Sequence, residues 1–318
     1  MKRESVAGSS IHLWIFNHPF HGISDQVEFF LLLFEQHGFA VSVGRRPRED
    51  CLNVVIENFS EATSGVLIDF CRTFEKRVAV IMTEHLDFID NQILIHGDPL
   101  WVQNDYMHPA TQVARIKNLM DCVQCIRCFF TLGDLPQLLN LGKMFPGVAT
   151  YSLPFPRLER VPDPPEAMEP GSSLVFTGFI TSHREEMLEL LSAKFSVSCP
   201  RKFVSRKARD ALNRDSKIVL NLPQRPDWKW ISLMRVIAGL RCGRATISLG
   251  TSDDSQISAC CEQLPMGSGD LLTLLEESVS GWRGAYDRAF REYASMAAQY
   301  ELRHPFPRNL VDIWAIAD

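Results

Sequence analysis

Apolar residues in this chain fall into short continuous blocks separated by longer stretches in which they recur at helical spacing. Ile11 to Phe16 form the first block, which predicts a strand. A turn-rich segment, NHPFHGI, follows, and Ser24 or Asp25 is placed to cap a helix running to about His37. Val27, Phe29, Phe30, Leu31, Leu33 and Phe34 leave that helix little polar surface. Phe39 to Val43 and Leu52 to Glu57 predict two more strands, Ala62 to Phe74 a helix, and RVAVIM a strand. Ala110 to Cys125 reads as a helix, Cys128 to Leu132 as a strand, Leu135 to Leu141 as a short helix and Val148 to Leu153 as a strand. Strands alternating with helices predict a parallel sheet with right-handed crossovers, so residues 1–153 are expected to form one Rossmann-like unit of about six strands.

Six prolines lie between Pro154 and Pro170. Proline supplies no amide donor, so this segment is expected to be a stiff linker, residues 154–172, rather than sheet interior. The α/β pattern then resumes. Leu174 to Phe176 predict a strand that breaks at Gly178, and Arg184 to Leu191 predict a helix with Glu185 and Glu186 in its first turn. Lys217 to Leu222 predict a second strand, followed by a polar and aromatic loop, a helix from Ile231 to Arg241, a closing glycine and another strand. LLTLLEESV and WRGAYDRAFREYASMAAQYE read as a helical tail, which Pro305 and Pro307 interrupt before NLVDIWAIAD.

A strand ending in Leu220-Asn221, a loop, and then MRVIAGLRCGR resembles the nucleotide-sugar half of GT-B glycosyltransferases, most closely their spore-maturation-like branch. The chain keeps Asn221, Arg235, Cys242 and Gly243 of that pattern. It departs at Ala238, where the family usually carries a glutamate that holds the donor ribose, and at Trp230, near a second glutamate of retaining members. The resemblance covers roughly 80 residues and implies an α/β fold of two Rossmann-like domains facing across a cleft. Residues 1–153 would be the acceptor domain and 173–304 the nucleotide-sugar domain, with 305–318 crossing back onto the first. The implied activity is metal-independent transfer of a hexosyl group from a nucleotide sugar to a glycan, protein, lipid-linked or small-molecule acceptor. No cofactor is expected beyond the nucleotide-sugar co-substrate.

The 318-residue length suits two domains. With 46% hydrophobic and 22% charged residues, the composition is that of a folded protein, and a net charge of −5 argues against nucleic acid as a partner. The apolar run IHLWIF is too short for a signal sequence, and no window approaches the ~20 apolar residues of a membrane span. A cytoplasmic location is therefore expected, and nine cysteines are read as reduced thiols. Association with a membrane surface or a larger complex stays open.

Ligands of open α/β sheets bind outside the carboxyl ends of the strands, which directs attention to three loops. Asn17, His18, His21 and Gly22 follow the first strand. His21 is the expected base for an inverting reaction, because imidazole titrates near neutrality. Thr83, Glu84, His85 and Asp87 follow the strand ending at Met82 and place three ionisable groups within five residues. Glu84 and His85 are expected site residues, and in retaining relatives a histidine near this place contacts the donor sugar. In the second half, a leaving diphosphate needs cations or helix N-terminal amides, which nominates Gly178, Arg184, Asn221, Lys229 and Arg235, with Ser252 beside the Asp253-Asp254 pair.

CVQCIRC resembles part of an iron-sulfur run, but no fourth cysteine or proline follows at ferredoxin spacing. Cys122, Cys125 and Cys128, like Cys260 and Cys261, are therefore read as inert thiols. The chain has no GxGxxG after a strand, no GxxxxGK[ST] and no GxSxG, which argues against dinucleotide oxidoreductases, P-loop kinases and α/β-hydrolases. A nucleotide-sugar epimerase and a non-catalytic GT-B-like binding subunit stand as alternatives.

Overall fold

The computed structural model describes residues 10–16, 20–57, 60–82, 86–102, 108–132, 140–162 and 169–311. The chain divides into two compact units, one of Met1–Phe20, Phe30–Pro156 and Tyr300–Asp318, the other of His21–Phe29 and Arg157–Gln299. Each unit is built on its own parallel sheet.

The first run of elements is β1 (Ser10–Trp14), α1 (Phe20–Gln36), β2 (Ala40–Gly44), β3 (Leu52–Ile56), α2 (Glu61–Phe74), β4 (Val78–Met82), β5 (Leu86–Ile89), β6 (Gln92–Ile95), β7 (Asp98–Pro99), α3 (Pro109–Asp121), β8 (Ile126–Leu132), α4 (Leu141–Met144) and β9 (Ala149–Leu153). Six strands form the sheet in the order β2-β1-β3-β4-β8-β9, every neighbouring pair parallel. All residues of β3 and β4 are buried, the signature of strands covered on both faces. Trp14, Val55, Leu67, Phe70, Val80 and Phe129 belong to one core cluster, and each such side chain contributes about 1.5–3 kcal/mol by leaving water. Ser60 caps α2 by accepting from the Thr63 amide, and Pro109 begins α3, where its missing donor costs nothing.

Four differences from the sequence pattern arise here. Helix α1 starts at Phe20, so Ser24 and Asp25 lie inside it instead of capping it. The helix expected over Ala110 to Cys125 ends at Asp121, and Val123–Cys125 form a 3-10 turn. The described short helix is α4, whereas most of the stretch from Leu135 to Leu141 lies outside the described residues. Finally, β5, β6 and β7 form an unexpected antiparallel sheet. Its tight turns use Asp90-Asn91 and His96-Gly97, all four at positive φ, the backbone that matches a two-residue hairpin to strand twist.

The second run is β10 (Ser172–Val175), α5 (Ser182–Ser192), β11 (Val197–Ser198), α6 (Arg206–Arg214), β12 (Ser216–Asn221), α7 (Leu233–Arg241), β13 (Thr246–Leu249), β14 (Cys261–Leu264), α8 (Leu271–Ser280) and α9 (Trp282–Arg303). Its sheet has the order β11-β10-β12-β13-β14, again all parallel. Leu174, Val219, Val236, Leu240 and Ile247 are each at most 1% exposed. Gly243, at φ 75°, supplies the left-handed residue that ends α7. Of the proline-rich segment, Val161 donates its amide to the Tyr286 hydroxyl at 2.9 Å and packs on Gly243.

The last described residues return to the first unit. Phe306 meets the rings of Phe34, His37 and Phe39 at 5.9, 4.3 and 5.5 Å, and Tyr300 meets Phe155 at 5.1 Å. The expected helix over NLVDIWAIAD is described only as far as Val311.

Candidate functional site

The second sheet changes direction beside β10: the chain runs outward from β10 to β11, then crosses to the other side to form β12. A crevice outside the carboxyl ends of two such strands is where open α/β sheets place ligands. Gly178 follows β10, and Asn221 is the last residue of β12. Gly178 and Asn221, two of the residues expected to bind a donor, therefore stand at this switch point.

Arg235 lies in the first turn of α7, and its Nη1 donates to Asn221 Oδ1 at 2.8 Å. The same oxygen accepts the Ser232 amide at 3.2 Å, and Asn221 Nδ2 donates to Ser248 Oγ at 2.7 Å. Asn221 thus ties the end of β12 to the start of α7 and to β13. The Arg235 guanidinium also sits 5.0 Å from the Phe176 ring centroid. Among the described residues no carboxylate lies within ion-pair distance of Arg235. Desolvation by burial pushes its pKa down to about 10, with Asp25 pulling the other way. A β-carbon on Gly178 would stand 2.9 Å from Arg235 Nη2 and 2.7 Å from Phe176 Cζ, so glycine is what leaves room for this cation.

Arg184 shares Phe176, at 5.2 Å from the ring centroid, but its donors point into the protein. Nε and Nη2 give hydrogen bonds of 3.0 and 2.7 Å to Leu222 O, and Nη1 one of 2.8 Å to Phe179 O. These bonds splice the loop after β10 to the loop after β12. Thr181 Oγ1, which caps α5, adds a bond to Gln224 O at 2.8 Å.

The loop from Leu222 to Ile231 is further anchored by Asp253. Its Oδ2 accepts the Ile231 amide at 2.6 Å, its Oδ1 accepts the Ser255 amide at 2.7 Å, and its amide donates to Gln263 Oε1 at 2.8 Å. Within the loop, Trp228 meets Trp230 edge-on at 5.3 Å, and Arg225 lies 5.7 Å from the Trp228 ring. Lys229 and Ser252 are exposed and joined through their backbones, Ser252 N–H to Lys229 O at 3.2 Å. Neither side chain is drawn into the Arg235 cluster by a described contact.

Arg209 of α6 escaped the sequence reading, because RKARDALNR carries no apolar stripe. Its Nη2 donates to Ser24 Oγ at 2.8 Å and to Asp25 Oδ1 at 2.7 Å, and its Nε is buried without a partner. Burial raises the Asp25 pKa, chiefly by desolvation, while Arg209 opposes it. Glu28, one turn along, takes Arg206 and Arg241. This clustering is the physical reason that Ser24 and Asp25 are not a helix cap: their oxygens are engaged by arginine. Gly178, Lys202, Phe203 and Arg209 line one small depression at this edge.

The first sheet has its own switch, between β1 and β3. Asn17 and His18 after β1, and Thr83, Glu84 and His85 after β4, lie outside the described residues. His21 and Gly22 stand in the first turns of α1 rather than in a loop, and the His21 side chain is outside the described residues. Asp87 accepts from Asn140 Nδ2 at 2.8 Å, a structural tie. Glu57, immediately after β3, is buried and receives Arg115 in a two-pronged ion pair.

No family model matches the chain, and none of the curated proteins does. Among solved structures, a sucrose-phosphate synthase from Thermosynechococcus elongatus is similar over 96% of this chain and 100% of its own, at 9% identity and a TM-score of 0.50. An alpha,alpha-trehalose-phosphate synthase (UDP-forming) from Burkholderia vietnamiensis matches 85% of this chain and 74% of its own at TM-score 0.42, and TarM matches 84% and 54% at 0.39, both at 9% identity. The first likeness shows a shared GT-B type α/β fold, with two Rossmann-like units. Among the described residues no helix is long and apolar enough to cross a membrane, and no group of three or more His, Cys, Asp or Glu could hold a metal ion.

Proposed function

We propose that this chain is a glycosyltransferase that takes a hexosyl group from a nucleotide sugar, with the donor diphosphate at the switch point between β10 and β12. One observation carries the reading: Arg235 is a half-buried cation fixed by an amide, Asn221, without a carboxylate partner among the described residues. Leaving a cation desolvated and uncompensated is costly, and an anionic ligand would remove that cost. The developing charge on a leaving nucleoside diphosphate is such an anion. Gly178 leaves room for the Arg235 guanidinium beside it.

In this reading Arg235 is the phosphate contact, Asn221 positions it, and Arg184 holds the two loops around it. Lys229 and Ser252 are available to the sugar or the second phosphate from an exposed surface. His21 is the candidate base for an inverting reaction, and Glu84 and His85 are candidate contacts to the transferred sugar. The acceptor is a glycan, protein, lipid-linked or small-molecule hydroxyl, and transfer needs no metal.

Ala238 supports a second reading. It is buried on α7 at the place where the resembling family carries a ribose-binding glutamate, so a binding subunit without transfer chemistry is the rival. Incubation with UDP-, GDP-, dTDP- and CMP-sugars tests both. Release of the donor's nucleotide, a diphosphate from UDP-, GDP- and dTDP-sugars and CMP from CMP-sugars, or transfer of sugar establishes the enzyme. Interconversion of the sugar makes it an epimerase, and a thermal shift without turnover makes it a binding subunit. Absence of any shift or turnover across the panel defeats the donor site itself.

A further inference from the structure

The amino ends of β4 and β8 lie at the opposite edge of the first sheet from its ligand-binding edge. A cavity of about 630 Å³ opens there, between the end of α2 and the turn after α3. Its lining includes Cys71, Arg72, Lys76, Arg77, Asp121 and Cys125. Cys71 is buried on α2 and Cys125 is half-buried in the turn that starts β8. The Cys71 thiol donates to the Cys125 carbonyl oxygen at 4.0 Å, although the two residues are 54 apart in sequence. Two neighbouring cysteines at the wall of a basic cavity have a chemistry that buried, isolated cysteines lack.

The charges facing Cys125 come from every element around it. Cys71, Arg72 and Glu75 belong to the end of α2, Lys76 and Arg77 lead into β4, and Asp121 and Cys122 close α3. Lys76 is partly occupied by Glu49 O at 2.8 Å, and Asp121 by Lys117 at 2.7 Å. The neighbouring Cys71 side chain is the largest influence and, with Arg72 and Arg77, outweighs burial, so the Cys125 pKa falls to about 7. Cys122 and Cys128 go the other way, pushed by desolvation up to about 12. Of the three thiols expected to be inert, burial disfavours the thiolate of Cys122 and Cys128, whereas the surroundings of Cys125 favour it.

We propose that Cys125 and Cys71 are a peroxide-reactive pair that closes to an intramolecular disulfide. The Cys125 thiolate attacks one oxygen of a hydroperoxide, the O–O bond breaks, and the displaced oxygen leaves as hydroxide or alkoxide and takes a proton from water. Cys125 is then a sulfenic acid. Cys71 attacks that sulfur, its proton leaves with the hydroxyl as water, and the S–S bond forms. Both electrons lost by the two thiols have passed to the peroxide.

The test treats the full chain with hydrogen peroxide at neutral pH, quenches with catalase, blocks remaining thiols with iodoacetamide and maps the peptides by mass. The expected product is a Cys71–Cys125 linked peptide lighter by two hydrogens, with Cys122 and Cys128 still unmodified. Cys71→Ser should halt at the Cys125 sulfenic acid, trapped by dimedone, and Cys125→Ser should give neither species. Alkylation of the untreated wild type needs no variant: Cys125 should react with a midpoint near pH 7 and, at that pH, roughly threefold faster than an unstructured cysteine peptide of ordinary pKa, about 8.5. That ratio combines a larger thiolate fraction with the lower nucleophilicity of a more acidic thiol. The proposal is overturned if peroxide yields no Cys71–Cys125 link, or if Cys125 alkylates with a midpoint at or above that of an ordinary thiol.

Discussion

Arg235 and Asn221 are joined by a 2.8 Å hydrogen bond from guanidinium to amide oxygen, a contact that fixes the cation's position without neutralising its charge. A carboxylate at position 221 would have made a closed ion pair; the amide leaves the charge available to a ligand.

Replacing Arg235 with alanine is expected to weaken binding of a nucleoside diphosphate by about 1.5–3 kcal/mol, the worth of a hydrogen bond to a charged group. Calorimetric titration into folded wild type and variant measures it. Equal affinities would mean that Arg235 is structural and that the anion site is elsewhere.

Gly178→Ala should act through Arg235. Its β-carbon would crowd Arg235 Nη2 and the Phe176 ring, so the guanidinium must move from the switch point. Nucleotide affinity should drop about tenfold, near 1.4 kcal/mol, while urea unfolding changes by less. An affinity unchanged from wild type would show that the approach beside Gly178 is not used.

Arg184→Met separates loop-holding from phosphate contact. Three carbonyl bonds disappear, and Leu222 O and Phe179 O lose their charged donors. A stability loss of about 2–4 kcal/mol in urea unfolding is expected. Nucleotide affinity per folded molecule should stay within about threefold of wild type, which a phosphate-contacting arginine would not permit.

The fold was legible wherever burial on both faces left an unbroken apolar run, as in LNVVI and VAVIM, and wherever a glycine marked a helix end, as at Gly243. It was illegible where tertiary contacts replaced that signal. Strand β11 is two residues long, and α6 is held by Arg209 and by buried Asp210 and Asn213 in place of an apolar face. Ser24 and Asp25 have the composition of a helix cap, yet Arg209 claims them in the middle of α1. At the switch point the spacing of Gly178, Asn221 and Arg235 marked positions that the fold does bring together. The direction in which Arg184 points could not be read, because an arginine at a helix start serves carbonyls and phosphates alike. The closeness of Cys125 to Cys71 was illegible for a related reason: Cys71 lies on α2, 54 residues away, and no local spacing reveals it.

The Cys125 thiol also makes stability depend on pH in a defined direction. Its folded pKa, about 7, lies below the ordinary thiol value, because Cys71, Arg72 and Arg77 favour the thiolate. A depressed acid pKa means that the unfolded chain binds the proton more tightly, so the folded state gains stability as pH rises through the folded value. That gain is complete above the ordinary thiol value of about 8.5 and is lost as pH falls through about 7. Cys125 is half-exposed, and solvent screening reduces the full linkage to about 1 kcal/mol. Under reducing conditions, the stability difference between wild type and Cys125→Ser should therefore shift in favour of wild type by about 1 kcal/mol between pH 6 and pH 9. Urea unfolding of both proteins at the two pH values measures this, and subtracting the variant removes every other titrating group. A difference that stays constant, or moves toward the variant, would show that the thiolate is not favoured in the folded state.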